Sequence, residues 1–196
     1  MNPKAIEHAE HRLKKARQAL DVMEFSTTFA ESEEAWSAFL SAASTVYSKL
    51  EQGSKTSGTS QGWFGRKKHE RKNDELLCYI HHARNSDEHG IAEITAREGG
   101  GWALQGGGKY LLNGTIGNNG VLEVTHMGGP PPKVVIIEPS VRLVPVKNER
   151  WGDVFSPPTM HLGEKLPNIA PLTIAKLAID YLENLVAEAA GLPTSP

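Results

Sequence analysis

The chain has 196 residues, 39% of them hydrophobic, which is enough to fill one core with an elaboration. Its 21 Lys and Arg stand against 23 Asp and Glu for a formal net charge of -2, so no global field draws it to nucleic acid or membrane, and any affinity for phosphate must be local. Cys78 is the only cysteine, which excludes an intrachain disulfide and fits a reducing compartment.

No run approaches the ~18 apolar residues of a membrane span. The N-terminal stretch, with His8, Glu10, Arg12 and Lys14 interleaved among apolar residues, lacks a signal-peptide core, so the expected location is cytoplasmic. Ile6, Ala9, Leu13, Ala16, Leu20 and Met23 step by threes and fours and predict an amphipathic helix over about 3–24. A second helix, about 31–52, is expected to start at Ser32 with Glu33 and Glu34 in its first turn, where acids favour the dipole. Trp36, Phe39, Leu40, Ala43, Val46, Tyr47 and Leu50 would be its core face.

From Gly53 the composition turns to Ser, Lys, Thr, Gly and Gln, and residues 53–62 read as a mobile loop ending in Trp63-Phe64-Gly65. The run Arg66-Lys67-Lys68-His69-Glu70-Arg71-Lys72 follows. It is either a solvated surface or a flexible cationic arm that gathers RNA by phosphate contacts through Arg66, Lys67, Lys68, Arg71 and Lys72.

The third helix is expected over about 70–89, with Leu76, Leu77, Ile80 and Ala83 at helical spacing and Gly90 as its stop signal. It ends in Arg84-Asn85-Ser86-Asp87-Glu88-His89. A guanidinium can hold two phosphate oxygens, and a histidine can move protons near neutral pH, so the trio Arg84, Asn85 and His89 suits phosphate-ester chemistry. Five residues make ~140° of helix, so Arg84 and His89 do not share one stripe, whereas Asn85 and His89 do. The carbonyl dipoles of a helix end repel phosphate, and Arg84 would have to offset that. A solvated reading is also open, with Arg84 paired to Asp87 or Glu88.

The segment from Asp74 to Gly90 resembles the third helix of HEPN-domain proteins, small helical bundles found in toxins, defence systems and RNA-processing nucleases. Their signature is an Arg followed by Asn, Asp or His and then a His four to six residues after the Arg, here Arg84, Asn85 and His89. The resemblance implies metal-independent RNA cleavage with two copies of the motif brought together in a homodimer, Arg84 and His89 being catalytic and Asn85 orienting. The branch that modifies partners with nucleotides carries a Tyr two residues after the His, where this chain has Ile91.

After Gly90 the periodicity changes. The glycine triplets 99–101 and 106–108 lack the context of a phosphate loop and read as turns. Tyr110 to Ile116 and Val121 to Thr125 flank Gly117-Asn118-Asn119-Gly120 as one predicted hairpin, and Lys133 to Glu138 with Val141 to Val146 as a second. Pro130, Pro131 and Pro132 would stiffen the link between them. An irregular return over 147–168 contains His161, which is either a turn residue or an accessory site residue. A last helix over about 171–190 shows a wide apolar face from Ile174 to Ala189.

These elements predict a mainly α fold, α+β overall: a single 1–196 domain built as a four-helix HEPN-like bundle, with a small antiparallel β insertion at about 100–147 between the third and fourth helices. His81 and His82 point ~100° apart on a helix, and Glu7, His8 and His11 lie on a charged face, so no metal site and no cofactor are expected. The expected partners are RNA, a second copy of the chain and a cognate antitoxin or other protein. The rival reading is a non-catalytic dimerisation or protein-interaction module with the β insertion as its recognition surface. A third is passive RNA binding through residues 66–72 alone.

Overall fold

A short connection, Ser26 to Thr28, separates the first two helices, and its last residue caps the second. In the computed structural model, which describes residues 1–89, 93–114, 122–148 and 151–193, α1 runs Pro3–Phe25 and α2 Phe29–Ser54. Asn2 accepts from Lys4 N at the start of α1. Thr28 and Glu31 form a reciprocal capping box, so α2 starts before the expected Ser32. Asn2 N donates to Gly53 O, which puts the beginning of α1 against the end of α2 and makes the pair antiparallel. At Gly53 a Cβ would fall 2.3 Å from Ala5 Cβ, so only glycine permits that approach.

The expected loop at 53–62 shrinks to residues 55–57, since α2 runs to Ser54 and a further helix starts at Gly58. α3 spans Gly58–Asn73, capped by Ser57, and buries Ser60, Trp63 and Phe64. Residues 60, 63 and 64 form a short helical stripe that outweighs the low propensity of Gly58, Gly62 and Gly65. Consequently the expected third helix is two: Asp74 leaves the helical conformation with ψ 127° and restarts the chain as α4, Glu75–His89. The last helix, α5, covers Pro171–Ala190. Ion pairs Lys176 with Glu24 and Arg17 with Glu183 lay it antiparallel along α1. Trp36, Phe39, Leu40 and Val46 of α2, Leu76 and Tyr79 of α4 and Ile174, Leu182 and Leu185 of α5 fill the core.

The strands are short and antiparallel where their register is seen: β1 Thr95–Glu98, β2 Gly101–Gln105, β3 Lys109–Gly114, β4 Leu122–Gly128, β5 Lys133–Ile137, β6 Ser140–Leu143, β7 Val146–Lys147, β8 Val154–Phe155, β9 Met160–His161 and β10 Glu164–Lys165. The first predicted hairpin is present as β3 against β4; its turn residues 115–121 lie outside the described residues. The second is not, because β5 pairs with β2 and β6 with β1. The pairs are therefore nested in sequence, β3–β4 inside β2–β5 inside β1–β6. β7 pairs with β8, and β9 with β10.

The chain divides into two units, Met1–Arg97 with Val141–Pro196, and Glu98–Ser140. Residues 141–147, expected in the insertion, thus belong with the helices. In the first unit β1 is tied to α2 by Arg97, whose Nε and Nη2 reach Glu33 at 3.1 and 2.6 Å. In the second, the Tyr110 hydroxyl accepts from Gly108 N and donates to Pro130 O, joining a glycine turn to the proline link. Trp102, Leu111, Met127, Val134, Ile136 and Ile137 of this unit are exposed. No helix of the described residues is long and apolar enough to cross a membrane.

Candidate functional site at the two ends of α4

The C-terminal end of α4 is held in place by polar contacts before any charge is considered. The buried Ser86 hydroxyl donates to Lys147 O at 3.2 Å, Asp87 accepts from the Ser37 hydroxyl at 3.0 Å, and the Tyr79 hydroxyl donates to Val144 O at 2.8 Å. α4 is thereby fixed to α2 and to the chain around β7. On this frame Arg84 is half-buried. Its Nη1 donates to Asn85 Oδ1 at 3.2 Å, its Nη2 is paired with Glu88, and its buried Nε has no partner among the described residues. The solvated alternative is met in part, since Arg84 does pair with Glu88, whereas Asp87 turns to Ser37. His89 closes α4 in sequence; its side chain and the expected stop at Gly90 lie outside the described residues.

His81 and His82 precede this end on α4. Burial, then the charge of Arg71, pushes His81 down to about 4, so it is neutral at physiological pH. His82 stacks on Phe155 with centroids 3.5 Å apart, and burial lowers its pKa too. Both rings are committed to packing. Burial pushes the Cys78 thiol up, away from the thiolate form that nucleophilic chemistry needs.

The basic run is rigid rather than an arm, because it lies on α3, and its members face different ways. Lys67 bonds Glu188 at 2.9 Å and lies 3.7 Å from Glu70, leaving its side chain only 16% exposed. Arg71 sits 4.6 Å over the Tyr47 ring. Lys68 pairs with Glu51 at 3.4 Å but is half exposed. Arg66, Lys68 and Lys72 form the outward part. The five expected phosphate contacts thus reduce to three available ones, Lys67 and Arg71 being used by the fold.

Ten residues before Arg84, at the other end of α4, lies an arrangement that spacing alone does not reveal. Asp74 caps α4 by accepting from Leu77 N at 2.9 Å, and also accepts from Leu162 N at 2.6 Å and from His161 Nδ1 at 2.9 Å. Burial opposes the ionisation of Asp74, but the hydrogen bonds from His161 and the two backbone amides outweigh it and hold its carboxyl below the usual aspartate value. Glu75 beside it accepts from Thr159 N, the Thr159 hydroxyl and Met160 N, and those bonds lower its pKa. The two carboxylates bind the β9–β10 hairpin to the start of α4. Its turn is Leu162-Gly163, both at positive φ (49° and 86°), as a two-residue hairpin of this twist requires. Leu162 is strained there, and its amide bond to Asp74 helps hold it. The sequence signal for this clamp was the Asp74-Glu75 pair at a helix start, facing a Gly163 turn with a histidine beside it.

No family model matches the chain, and comparisons with curated proteins and with solved structures likewise returned no match.

Proposed function

We propose that the protein is a HEPN-like, metal-independent endoribonuclease that works as a homodimer through Arg84, Asn85 and His89, on a HEPN-type helical bundle. The observation that carries this reading is the state of Arg84. Two of its nitrogens are held by Asn85 and Glu88 while Nε is buried with no acceptor among the described residues. A buried N–H without a partner costs ~1–3 kcal/mol, and native proteins keep few of them. Such a donor, on a guanidinium whose orientation is already fixed, suits a phosphate oxygen that arrives with substrate.

His89 would take the proton from a ribose 2′-hydroxyl or return one to the departing 5′-oxygen, and the partner's copy of the same histidine would serve the other step. Arg84 would stabilise charge on the pentavalent phosphorus, with Asn85 holding the guanidinium in place. Because side chains supply the acid, the base and the charge, no metal enters this route. One chain supplies one motif, so the motif would lie near a two-fold axis. Arg66, Lys68 and Lys72 would gather RNA through its phosphates.

The Arg84–Glu88 pair favours a second reading, a non-catalytic interaction module, because it already neutralises the cation. Toxin, defence and RNA-processing roles all fit the first reading, with an antitoxin or other protein as partner.

The test is cleavage of a mixed RNA substrate by purified wild type, Arg84→Ala and His89→Ala, with and without excess chelator, together with thermal unfolding and sedimentation. Wild type should cleave in chelator, leave a 2′,3′-cyclic phosphate or its hydrolysis product, and sediment as a dimer. Each variant should lose ~100 to 10,000-fold in rate at an unchanged Tm. Equal cleavage by all three, or a strictly monomeric active species, would overturn the mechanism. A folded dimer with no cleavage would establish the module instead.

A further inference from the structure

The β2–β5 ribbon sorts its side chains into two unequal faces. Its register sets Trp102 opposite Ile136 and Leu104 opposite Val134, and directly opposed residues point to the same side of an antiparallel pair. These four large apolar side chains therefore share one face, while Lys133, Val135 and Ile137 take the other. Trp102 is 48% exposed, Val134 57% and Ile136 65%. The sheet has only these two strands, so each also keeps an open edge, and among the described residues no further backbone hydrogen bond reaches either one.

A ribbon of two strands is marginal in water until further strands or a second layer cover its apolar side. The devices that usually keep exposed strands apart are scarce here. Neither strand contains proline, and the one charged side chain, Lys133, lies on the opposite face. The chemistry of the open face narrows what covers it. Nucleic acid does not fit, because no cation on that side meets its phosphates. An identical face does fit, since no charge on it repels a copy of itself. The face is also uneven in a way that suits its own copy: the rung of Trp102 with Ile136 is bulky, and the rung of Leu104 with Val134 is smaller. A two-fold axis running across the ribbon between these rungs lays the bulky rung of one copy on the smaller rung of the other, which levels the layer.

We propose that this ribbon is a homodimerisation surface, on which two copies of the chain stack their Trp102 faces about a two-fold axis into a four-stranded sandwich. The sheets would lie ~10 Å apart, with Trp102 as the anchor. The exposed parts of Trp102, Val134 and Ile136 come to on the order of 300 Å² per copy, the size at which an apolar patch is often functional. Two copies with their rims reach about 1,000 Å², the lower bound of a specific interface, so the association is a weak one. Arg84, Asn85 and His89 take no part in it, and it stands apart from the nuclease reading, which also calls for a second copy.

The experiment is sedimentation of the full-length chain over a range of concentrations, paired with acrylamide quenching of tryptophan fluorescence in a Trp151→Phe background. That substitution leaves Trp102 as the exposed indole, because Trp36 and Trp63 are buried. The chain should dimerise reversibly in the micromolar range, and quenching of Trp102 should fall severalfold as the dimer forms. Ile136→Lys should weaken association tenfold or more, whereas Ile137→Lys, on the other face, should leave it within twofold. Circular dichroism and Tm check that both variants fold. Ile136→Thr keeps a β-branched residue and should weaken association severalfold if Ile136→Lys lowers Tm. A chain that stays monomeric at hundreds of micromolar would leave the face to a different protein and overturn the proposal. So would equal association of Ile136→Lys and Ile137→Lys, or a dimer in which Trp102 is as quenchable as in the monomer, which would place the two-fold axis elsewhere.

Discussion

At the start of α4, Asp74 and Glu75 accept three hydrogen bonds each, from backbone amides, a hydroxyl and a histidine. At its end, Arg84 has a side-chain amide and a carboxylate as partners and one buried nitrogen with none among the described residues. Both ends are polar and partly buried, but only the first is fully satisfied. A group whose hydrogen bonds are all made by its own chain is used up in holding the chain together. One left short has a vacancy that a ligand can fill. Under the proposed function, the first end serves architecture and the second chemistry.

The largest effect that sharpens this contrast is on rate. Arg84→Ala should cut RNA cleavage ~100 to 10,000-fold and leave Tm nearly unchanged, whereas Asp74→Ala should leave cleavage per folded molecule within a few fold. If Asp74→Ala proved as damaging to rate as Arg84→Ala, the division between the ends would collapse. Stability should show the reverse order. Asp74→Ala removes a helix cap and the hairpin clamp, an expected loss of ~1–3 kcal/mol measurable by urea unfolding. Glu75→Gln should cost less.

Acidification gives a third comparison. Asp74 has a folded pKa below its unfolded one, so its stabilisation is complete above ~3.9 and is lost as pH falls through the depressed value. His81 also has a lowered pKa, about 4 in the fold. For a histidine this means that the unfolded chain takes up the proton first, and stability declines as pH falls from ~6.5 toward that value. A Tm-against-pH curve should therefore fall in two stages. His81→Gln should flatten the upper stage and Asp74→Asn the lower one; a single stage untouched by either substitution would contradict both assignments.

The smallest effect concerns α3. Replacing Arg66, Lys68 and Lys72 by Gln should weaken RNA binding and flatten its salt dependence by ~0.7 per lost single-strand phosphate contact. Lys67→Gln should leave the slope alone and lower stability instead. An equal slope change from Lys67→Gln would show that its pair with Glu188 opens to solvent.

Helices α1, α2 and α5 were legible because long apolar stripes at 3.6-residue spacing leave little choice of partner face. The bounds of α4 were misread for a local reason. Asp74 looks like any residue of a charged helix, and its role as a break and cap appears only when Leu162 and His161 come to it from 88 and 87 residues away in sequence. Residues 53–62 read as a loop because glycines and polar residues outnumber the three buried side chains, Ser60, Trp63 and Phe64, that anchor α3. The β pairing failed on nesting: adjacent strands suggested adjacent hairpins, and nothing local marks Trp102 as the partner of Ile136. At the site, the identities of Arg84 and Asn85 were readable but their mutual contact and the vacant Nε were not, since both depend on how Glu88 turns. His161 lay undecided between turn and site, and it is bound to Asp74.

The nesting of the strands has a consequence for how the protein tolerates change. Because the 98–140 segment leaves on β1 and comes back on β6, strands that are hydrogen-bonded to each other, its two ends are already neighbours. Lengthening it adds only a slowly growing loop-closure cost, about 0.6 kcal/mol per doubling. Loop-closure entropy thus places the least resistance to insertion or deletion between β1 and β6.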